Sequence, residues 1–504
     1  MLFSSLFAKT AEYEKLAHAL SAPGACALFG LPGSGRAMVY AALAKETGRF
    51  LCIVTPGEAE ATRFAGDLNA LGIPTAVFPA RDYVLRPIEG TAREYEYRRL
   101  SVLGDIVGGR LQAVCVPDEG LTQYTTPRAE FCNNTRTLHP GDTVPRTELT
   151  ALLYNAGYAR RAQVDGPGQF SIRGDIVDLY APDMKLPVRM EFWGDEIDTM
   201  HTFDLATQRR EDPIEKIYVS PAREVLFGSP AEAAELLRAF IKKFRGKKRT
   251  ALEACLATEL AQLDGGALPV NMDKYLAVRY PQPATLLDYF DDPLLVLEEP
   301  ASLREAERAT TYRRGEEISA LLQDGVLAAG LDNLYAENGY LWAQAANHRT
   351  ICAENFARSM PDIPLKDIVN APAHTLPAWS GEVTSLLEDL QPLCNGGAAV
   401  TVLAGTQRAA AGLAADLRTK GLLVTTDPDA APEAVTSEDL EPNVRIYYVP
   451  ARKAGVSAFY RTWQPLLNEH VDAVHVMGDN ALGVPGLYRF CRDHDIFFYS
   501  QLGA

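Results

Sequence analysis

A glycine-rich stretch near the start of the chain has the residue types and spacing of a phosphate-binding loop. It reads F-G-L-P-G-S-G-R-A-M-V. The nucleotide-binding pattern G-x-x-x-x-G-K-[ST] needs two glycines, which Gly30 and Gly35 supply, and Gly33 lies between them. The lysine of the pattern reaches the phosphates and its hydroxyl residue holds Mg²⁺, but Arg36 and Ala37 stand at these positions. The loop therefore keeps the turn and lacks the metal ligand.

An acidic motif bears on the same chemistry. The apolar run L-L-V-L at residues 294–297 leads into Glu298 and Glu299. In P-loop ATPases a buried strand ends in an acid that holds Mg²⁺, and that acid is usually Asp. The chain thus carries two degenerate halves of an ATP site, which we expect the sheet to bring together. We interpret them as a structural relic, and the alternative is weak residual nucleotide binding.

Composition and charge limit the classes of function. The 504 residues are 47% hydrophobic and 23% charged, which is typical of a globular protein of roughly three or four domains. The eight cysteines contain no C-x-x-C pair and the eight histidines form no cluster, so we expect a cytoplasmic protein with no metal site. No stretch approaches the ~20 charge-free apolar residues of a membrane helix, so we expect no membrane partner. The net charge of −16 disfavours nucleic-acid binding by the chain as a whole. The basic run K-K-F-R-G-K-K-R at residues 242–249 is the exception, and its simplest interpretation is a solvated helix end.

The order of secondary-structure signals predicts an α/β fold with an insertion. Helix and strand signals alternate in the first quarter of the chain, which favours βαβ units and a parallel sheet. Strand–turn–strand signals then replace the alternation, and helical signals return after them. The predicted parts are the first half of the degenerate P-loop domain (1–125), an inserted small α+β domain (126–215), the second half of the P-loop domain (216–360), a linker (361–376), a small α/β domain (377–457) and an unassigned tail (458–504).

Several motifs occur in an order that resembles one bacterial family. In chain order they are the degenerate P-loop, R-R-L at 98–100, L-T-Q at 121–123, G-Y at 157–158, R-G-D-I-V-D-L-Y at 173–180 and E-F-W-G-D-E-I-D at 191–198. The last two carry most of the specificity. Over about residues 10–450 the chain resembles the N-terminal part of bacterial transcription-repair coupling factors. That part is itself similar to the excision-repair helicase UvrB, but its ATP site is dead.

The resemblance implies a function for each part of the chain. The two halves of the P-loop domain would form a RecA-like scaffold without ATPase activity, so the chain by itself would not be an enzyme. The inserted domain would bind UvrA, the damage-recognition ATPase, and recruit it to repair at stalled RNA polymerase. RNA polymerase and DNA are partners of full-length relatives, whose motor domains use ATP and Mg²⁺. No intact motor P-loop and no D-E-x-Q motif occurs in these 504 residues, so we expect no cofactor here.

The resemblance also carries candidate UvrA contacts onto four residues of the insertion. Arginine and aromatic side chains dominate binding hot spots. The arginine at the G-Y-x-R position corresponds to Arg160 or Arg161, with an uncertainty of one residue. The arginine of the R-G position is Arg173, and Phe170 is added as an aromatic contact.

Two of these residues have a structural alternative. Phe170 has the alternative of a core position beneath the sheet. For Arg173 the alternative is an internal salt bridge to Asp175 or Asp178.

Two other functions remain open at the level of sequence. The first is an active UvrB-like helicase or ATPase, which an intact Lys-Thr pair after Gly35 would have supported. The second is a nucleic-acid-binding scaffold that works through the basic run at 242–249, and a steep salt dependence of DNA binding would support it.

Overall fold

The computed structural model describes most of the chain up to residue 371 and separate segments beyond it. The described residues are 10–86, 93–358, 360, 363–371, 382–395, 400–404, 407–420, 422–425, 443–448, 451–454, 457–460, 473–477 and 497–500. No helix within these ranges is long and apolar enough to cross a membrane.

The first part of the chain alternates helices and strands. In chain order it forms α1 (Ala11–Ala19), β1 (Gly24–Phe29), α2 (Gly33–Thr47), β2 (Leu51–Thr55), α3 (Glu58–Ala70), β3 (Thr75–Val77), α4 (Glu94–Val107), β4 (Ala113–Pro117) and α5 (Asp118–Leu121). Every residue of β1, β2 and β4 is buried. This is the pattern of a parallel sheet, whose strands are covered on both faces and therefore read as continuous apolar runs.

A second, mostly antiparallel sheet follows. Its elements are α6 (Arg128–Asn133), β5 (Arg136–Leu138), α7 (Arg146–Asn155), β6 (Ala159–Arg160), β7 (Gln169–Arg173), β8 (Ile176–Tyr180), β9 (Val188–Trp193), β10 (Glu196–Phe203), β11 (Arg210–Pro213) and β12 (Ile217–Val219). Six strands pair in the order β11-β10-β9-β8-β7-β6, and β12 pairs with β5. Gly174 and Gly194 form the hairpin turns with φ angles of 61° and 68°, which favour glycine.

Helices then precede three strands that return to the first sheet. They are α8 (Pro230–Lys242), α9 (Gly246–Asp264), α10 (Leu276–Arg279), β13 (Leu294–Glu298), α11 (Pro300–Gln323), α12 (Tyr340–Asn347), β14 (Arg349–Glu354) and β15 (Leu365–Asn370). The parallel sheet has seven strands in the order β15-β1-β14-β13-β2-β4-β3. Because its strands come from both sides of the insertion, the predicted α/β fold with one interrupted domain is confirmed.

The predicted linker at 361–376 needs a correction. Its residues Leu365–Asn370 form the edge strand β15, which pairs in parallel with β1. The prolines around this segment suggested a linker, but L-K-D-I-V-N between them can still pair because proline is tolerated beside an edge strand. Residues 361–362 and 372–376 of the predicted linker lie outside the described residues.

The remaining described segments build a five-stranded sheet and a two-stranded antiparallel pair, β19 with β20. They are α13 (Val383–Asn395), β16 (Val400–Ala404), α14 (Gln407–Thr419), β17 (Leu423–Thr425), β18 (Asn443–Tyr448), β19 (Ala451–Ala454), β20 (Ser457–Tyr460), β21 (Ala473–Met477) and β22 (Phe497–Ser500). Five of these strands pair in parallel in the order β17-β18-β16-β21-β22. Since β21 and β22 come from the predicted tail 458–504, the small α/β domain extends past the predicted boundary at 457. Apart from residues 458–460 of β20, the rest of the tail lies outside the described residues.

A buried cluster of charges fixes the place where the chain leaves the insertion. Glu224, which follows β12, accepts a hydrogen bond from Nε of Arg99 at 2.6 Å, and both side chains are fully buried. Arg81 also faces Glu224 at 3.3 Å and binds Asp273 through two hydrogen bonds of 2.7 and 2.8 Å. Arg99 donates further to Oε1 of Gln123 at 3.0 Å. Two arginines thus face two carboxylates, the buried Glu96 beside Arg81 pairs with Arg93 at 2.8 Å, and the cluster is electrically compensated.

Removal of Glu224 tests this compensation. Arg99 would lose its carboxylate partner while fully buried, so we expect Glu224→Ala to lower the free energy of unfolding by about 3–5 kcal/mol. The exposed Glu253, which pairs with Arg249 four residues earlier, is the matched control, and Glu253→Ala should cost less than about 0.5 kcal/mol. Urea unfolding followed by tryptophan fluorescence measures both. Equal urea midpoints for the two variants would contradict a structural role for the cluster.

Candidate functional site

The first glycine of the degenerate P-loop is required by packing within the fold. Gly30 has a φ of 87°, which glycine adopts without strain. A Cβ at this position would lie 2.8 Å from the carbonyl oxygen of Ala371, just after β15. The second glycine, Gly35, would meet only ordinary contacts of 3.5 Å or more. The glycine that defines the start of the motif is therefore explained by the neighbouring strand without a phosphate.

The residues that replace the lysine and hydroxyl of a working P-loop are buried. Arg36 is 2% exposed and donates to the carbonyl of Ala353 at 3.2 Å and to Oδ1 of Asn355 at 3.3 Å. Ala37 is fully buried in α2. A Cβ at Gly33 would lie 3.2 Å from Nη2 of Arg63. The Arg36 guanidinium is thus engaged with the end of β14 and its following residue.

The acidic pair lies at the junction of β13 and α11. Glu298 is the last residue of β13 and is buried. Glu299 precedes α11 with a φ of 50° and a ψ of 68°, a left-handed conformation that is uncommon for a residue other than glycine. In the sheet order β14 separates β13 from β1, which leads into the P-loop. That the two motifs share one nucleotide site stays a prediction.

One side of the six-stranded sheet is polar, and it carries the candidate contact Arg173. In the strand register Ser171 lies opposite Asp178, and Asp178 lies opposite Arg189. Arg189 binds both carboxylate oxygens of Asp178, at 2.6 and 2.9 Å. Arg173 donates one hydrogen bond of 2.5 Å to the same carboxylate. We call this surface, with Arg161 described below, the arginine face.

Asp178 is over-compensated on the arginine face. Its side chain is fully buried, whereas that of Arg173 is 46% exposed. The hydrogen bonds that Arg189 donates to Asp178 raise the pKa of Arg189, although burial acts in the opposite direction. Because Arg189 alone neutralises the carboxylate, Arg173 adds an excess positive charge and uses only one of its five N–H donors. The internal salt bridge to Asp178 exists and leaves Arg173 able to bind a partner as well.

The register of β6 separates the two other candidate arginines. Arg160 lies opposite Phe170 in the parallel pair of β6 and β7. The Arg161 N–H donates to the Phe170 carbonyl at 2.8 Å, which puts Arg161 opposite Ser171. Successive residues of a strand point to opposite sides, so Arg161 shares the arginine face with Arg173, and Arg160 is on the other side. Both are exposed, and neither side chain has a hydrogen bond or ion pair within the described residues.

The assignment of Phe170 to the binding surface is corrected. Its side chain is fully buried in the core between the sheet and α7. Its ring contacts that of Tyr154 edge-on, with the centroids 5.4 Å apart. Burial of an aromatic ring is strongly favoured by the hydrophobic effect, and this side of the sheet is the one that α7 covers. The core alternative for Phe170 is the observed arrangement.

An exposed tryptophan was missed by the sequence interpretation. Trp193 ends β9 and is 83% exposed. Trp193 follows Glu191 by two residues and Arg189 by four along β9. Alternate residues of a strand share one side, so its side chain lies on the arginine face. The available signal was the E-F-W-G-D-E-I-D motif, in which the alternation F-W places one aromatic ring on each side. Phe192 is the buried one and Trp193 the exposed one.

Metal chemistry has no support in the described part of the chain. No group of three or more His, Cys, Asp or Glu side chains in these ranges could hold a metal ion. The geometry instead offers exposed arginines and the exposed ring of Trp193 on one side of a sheet. These residue types are enriched in protein-binding hot spots.

Comparisons with known proteins agree with this arrangement. A family model described as the UvrB interaction domain matches residues 137–225, which contain the whole six-stranded sheet. The transcription-repair-coupling factor of Bacillus subtilis (strain 168) is 26% identical over 375 residues, which are 72% of this chain and 32% of that protein. The transcription-repair-coupling factor of Staphylococcus haemolyticus is 26% identical over 309 residues, 59% of this chain and 26% of the relative.

The Pyrococcus furiosus Hef helicase domain aligns over 98% of this chain and 95% of that chain, with 10% identity and a TM-score of 0.16, which is too low to carry weight.

The matches cover part of each relative and most of this chain. The chain spans about a third of the length of the curated Bacillus subtilis relative. The matched region is the N-terminal ~70% of this chain, at 26% identity. The resemblance stated from the motifs is therefore confirmed: residues 137–225 match the UvrB interaction domain, and the chain is similar to the transcription-repair-coupling factors.

Proposed function

We propose that this chain recruits UvrA to DNA repair at stalled transcription, and that the arginine face of the insertion is the contact surface. The observation that carries the proposal is the excess positive charge of Arg173 and Arg161 on one side of a rigid sheet within the UvrB interaction domain. An exposed arginine with free N–H donors is well suited to bind a carboxylate on a partner through two hydrogen bonds.

The two arginines are placed to act on the same partner surface. Arg161 lies opposite Ser171, and Arg173 is two residues further along β7, so their Cβ atoms are separated by roughly 8 Å. Trp193 is on the same side of the sheet and offers a large apolar surface. Tryptophan and arginine are the residues most enriched in binding hot spots. We propose Arg161, Arg173 and Trp193 as the principal UvrA contacts.

Binding to purified UvrA, measured by isothermal titration with the full chain, tests this proposal. We expect Arg161→Ala and Arg173→Ala each to weaken binding at least about tenfold, because each removes a charged contact worth roughly 1.4 kcal/mol or more. The fold should survive the second change, since Arg189 still holds both oxygens of Asp178.

Arg160→Ala is the matched control for these two variants. It removes the same side chain from the neighbouring residue, on the other side of the sheet, and we expect its affinity to stay within about threefold of the parent chain. An equal loss for Arg160→Ala, or no UvrA binding by the parent chain, would contradict the proposal.

We further propose that the P-loop of this chain is a scaffold without ATPase activity, so that the chain acts as a binding module. Support comes from Ala37, which offers no hydroxyl for Mg²⁺, and from Arg36, whose guanidinium is committed to Ala353 and Asn355. The close approach of Gly30 to the carbonyl oxygen of Ala371 gives the first glycine of the motif a packing role. On this proposal Arg36 serves stability instead of phosphate binding.

Thermal unfolding distinguishes a scaffold from a nucleotide site. We expect Arg36→Met to lower the free energy of unfolding by about 1.5–3 kcal/mol, as loss of charged hydrogen bonds at a buried site does. The exposed Arg408 serves as control, and Arg408→Met should change it by less than about 0.5 kcal/mol. Added ATP and Mg²⁺ should leave the melting temperature of the parent chain unchanged. A rise in melting temperature with ATP that Arg36→Met abolishes would contradict the scaffold.

A further inference from the structure

The helical hairpin of α8 and α9 ends in a concentrated positive charge. Six exposed cations lie within eight residues; we call them the basic tip, and they are Lys242, Lys243, Arg245, Lys247, Lys248 and Arg249. No Asp or Glu occurs between residues 239 and 252. The net charge of the whole chain is −16, so the charge of the basic tip is opposite in sign to that of the chain as a whole.

Most of the basic tip lacks a partner within the described structure. Arg249 pairs with Glu253 at 2.8 Å, and Nζ of Lys243 lies 5.9 Å from the ring centroid of Phe240. The other four cations make no side-chain hydrogen bond or ion pair with any described residue. Three of the six also lie in the first turn of α9, where the positive end of the helix dipole disfavours cations. An external polyanion would relieve this repulsion.

The aromatic residues of the basic tip are used for packing. The rings of Phe240 and Phe244 contact each other edge-on with centroids 5.1 Å apart, and both pack against the core of the helical region. A Cβ at Gly330 would lie 2.8 Å from the Phe244 ring and 3.0 Å from the Phe240 ring, so the loop at Gly330 closes over them. The tip is therefore anchored, and these rings are not offered for stacking on bases or for insertion into a lipid surface.

We propose that the basic tip contacts the phosphate backbone of double-stranded DNA without reading its sequence. A duplex presents one phosphate per about 1.7 Å of axis, which matches a dense cluster of cations. Single strands are held largely by aromatic stacking, and stable attachment to a membrane surface adds apolar anchors to the attraction between cations and anionic lipids. The tip offers neither stacking rings nor apolar anchors. Acidic residues further away are screened beyond about 8 Å at physiological salt, so the overall net charge does not cancel the local field. This contact is separate from the arginine face and from UvrA recruitment.

Fluorescence anisotropy with a labelled random-sequence DNA duplex tests the proposal. The test variant combines Lys242→Gln, Lys247→Gln and Lys248→Gln. The control variant combines Lys185→Gln, Lys216→Gln and Arg308→Gln, which are exposed cations elsewhere and change the net charge equally. All six side chains are exposed, so both variants should keep the circular dichroism spectrum of the parent chain.

The salt dependence provides the decisive readout. If all three lysines contact phosphates, the slope of log affinity against log salt should become less steep by about 2.7 in the test variant, since each contact contributes about 0.9. Its affinity at low salt should fall at least tenfold, and that of the control variant should follow the parent chain. Equal losses in the two variants, or no salt-dependent binding by the parent chain, would overturn the proposal. Polyglutamate that competes as well as DNA would point to an acidic protein partner and would overturn it too.

Discussion

The ion pairs of the fully buried Glu224 carboxylate with Arg99 and Arg81 are the interaction on which the architecture depends. The chain leaves the parallel sheet after β4, builds a second sheet of six strands and must then come back to supply β13. Glu224 stands just after β12, at this return, and its partners Arg99 and Arg81 belong to the first part of the P-loop domain. Buried charges are tolerated only when they are paired, so the two arginines before the insertion and the two carboxylates after it hold these two segments of the chain together.

The arginine face is also built from arginine–carboxylate pairs, but its ratio of positive to negative charges is different. In the buried cluster two cations meet two anions, whereas on the sheet Arg173 and Arg189 share Asp178 alone. The surplus charge is on the exposed side chain. A surface of this kind keeps its own fold without help and still offers hydrogen-bond donors outward, which is what a pre-organised binding surface needs.

The sequence predicted the elements better than it predicted which surfaces they present. Alternating helix and strand signals predicted the interrupted parallel sheet, and the fold class is confirmed. The alternation in Q-F-S-I-R put Phe170 and Arg173 on opposite sides but could not tell which side α7 would cover. Likewise, the reason for Gly30 lies at Ala371, more than three hundred residues away, and no local pattern reveals that contact. The strand β15 was not predicted because the prolines around it are typical of a linker. Strand propensity depends only on the local residues, whereas β15 forms because it pairs with β1 at the edge of the sheet.

Amide hydrogen exchange of the full chain, with and without purified UvrA, tests the central claim most directly. We expect slower exchange on binding in the segment from β6 to β8 and around Trp193, where the arginine face lies, with the parallel sheet unaffected. A stable complex whose protection falls outside these segments would contradict the claim that the arginine face recruits UvrA.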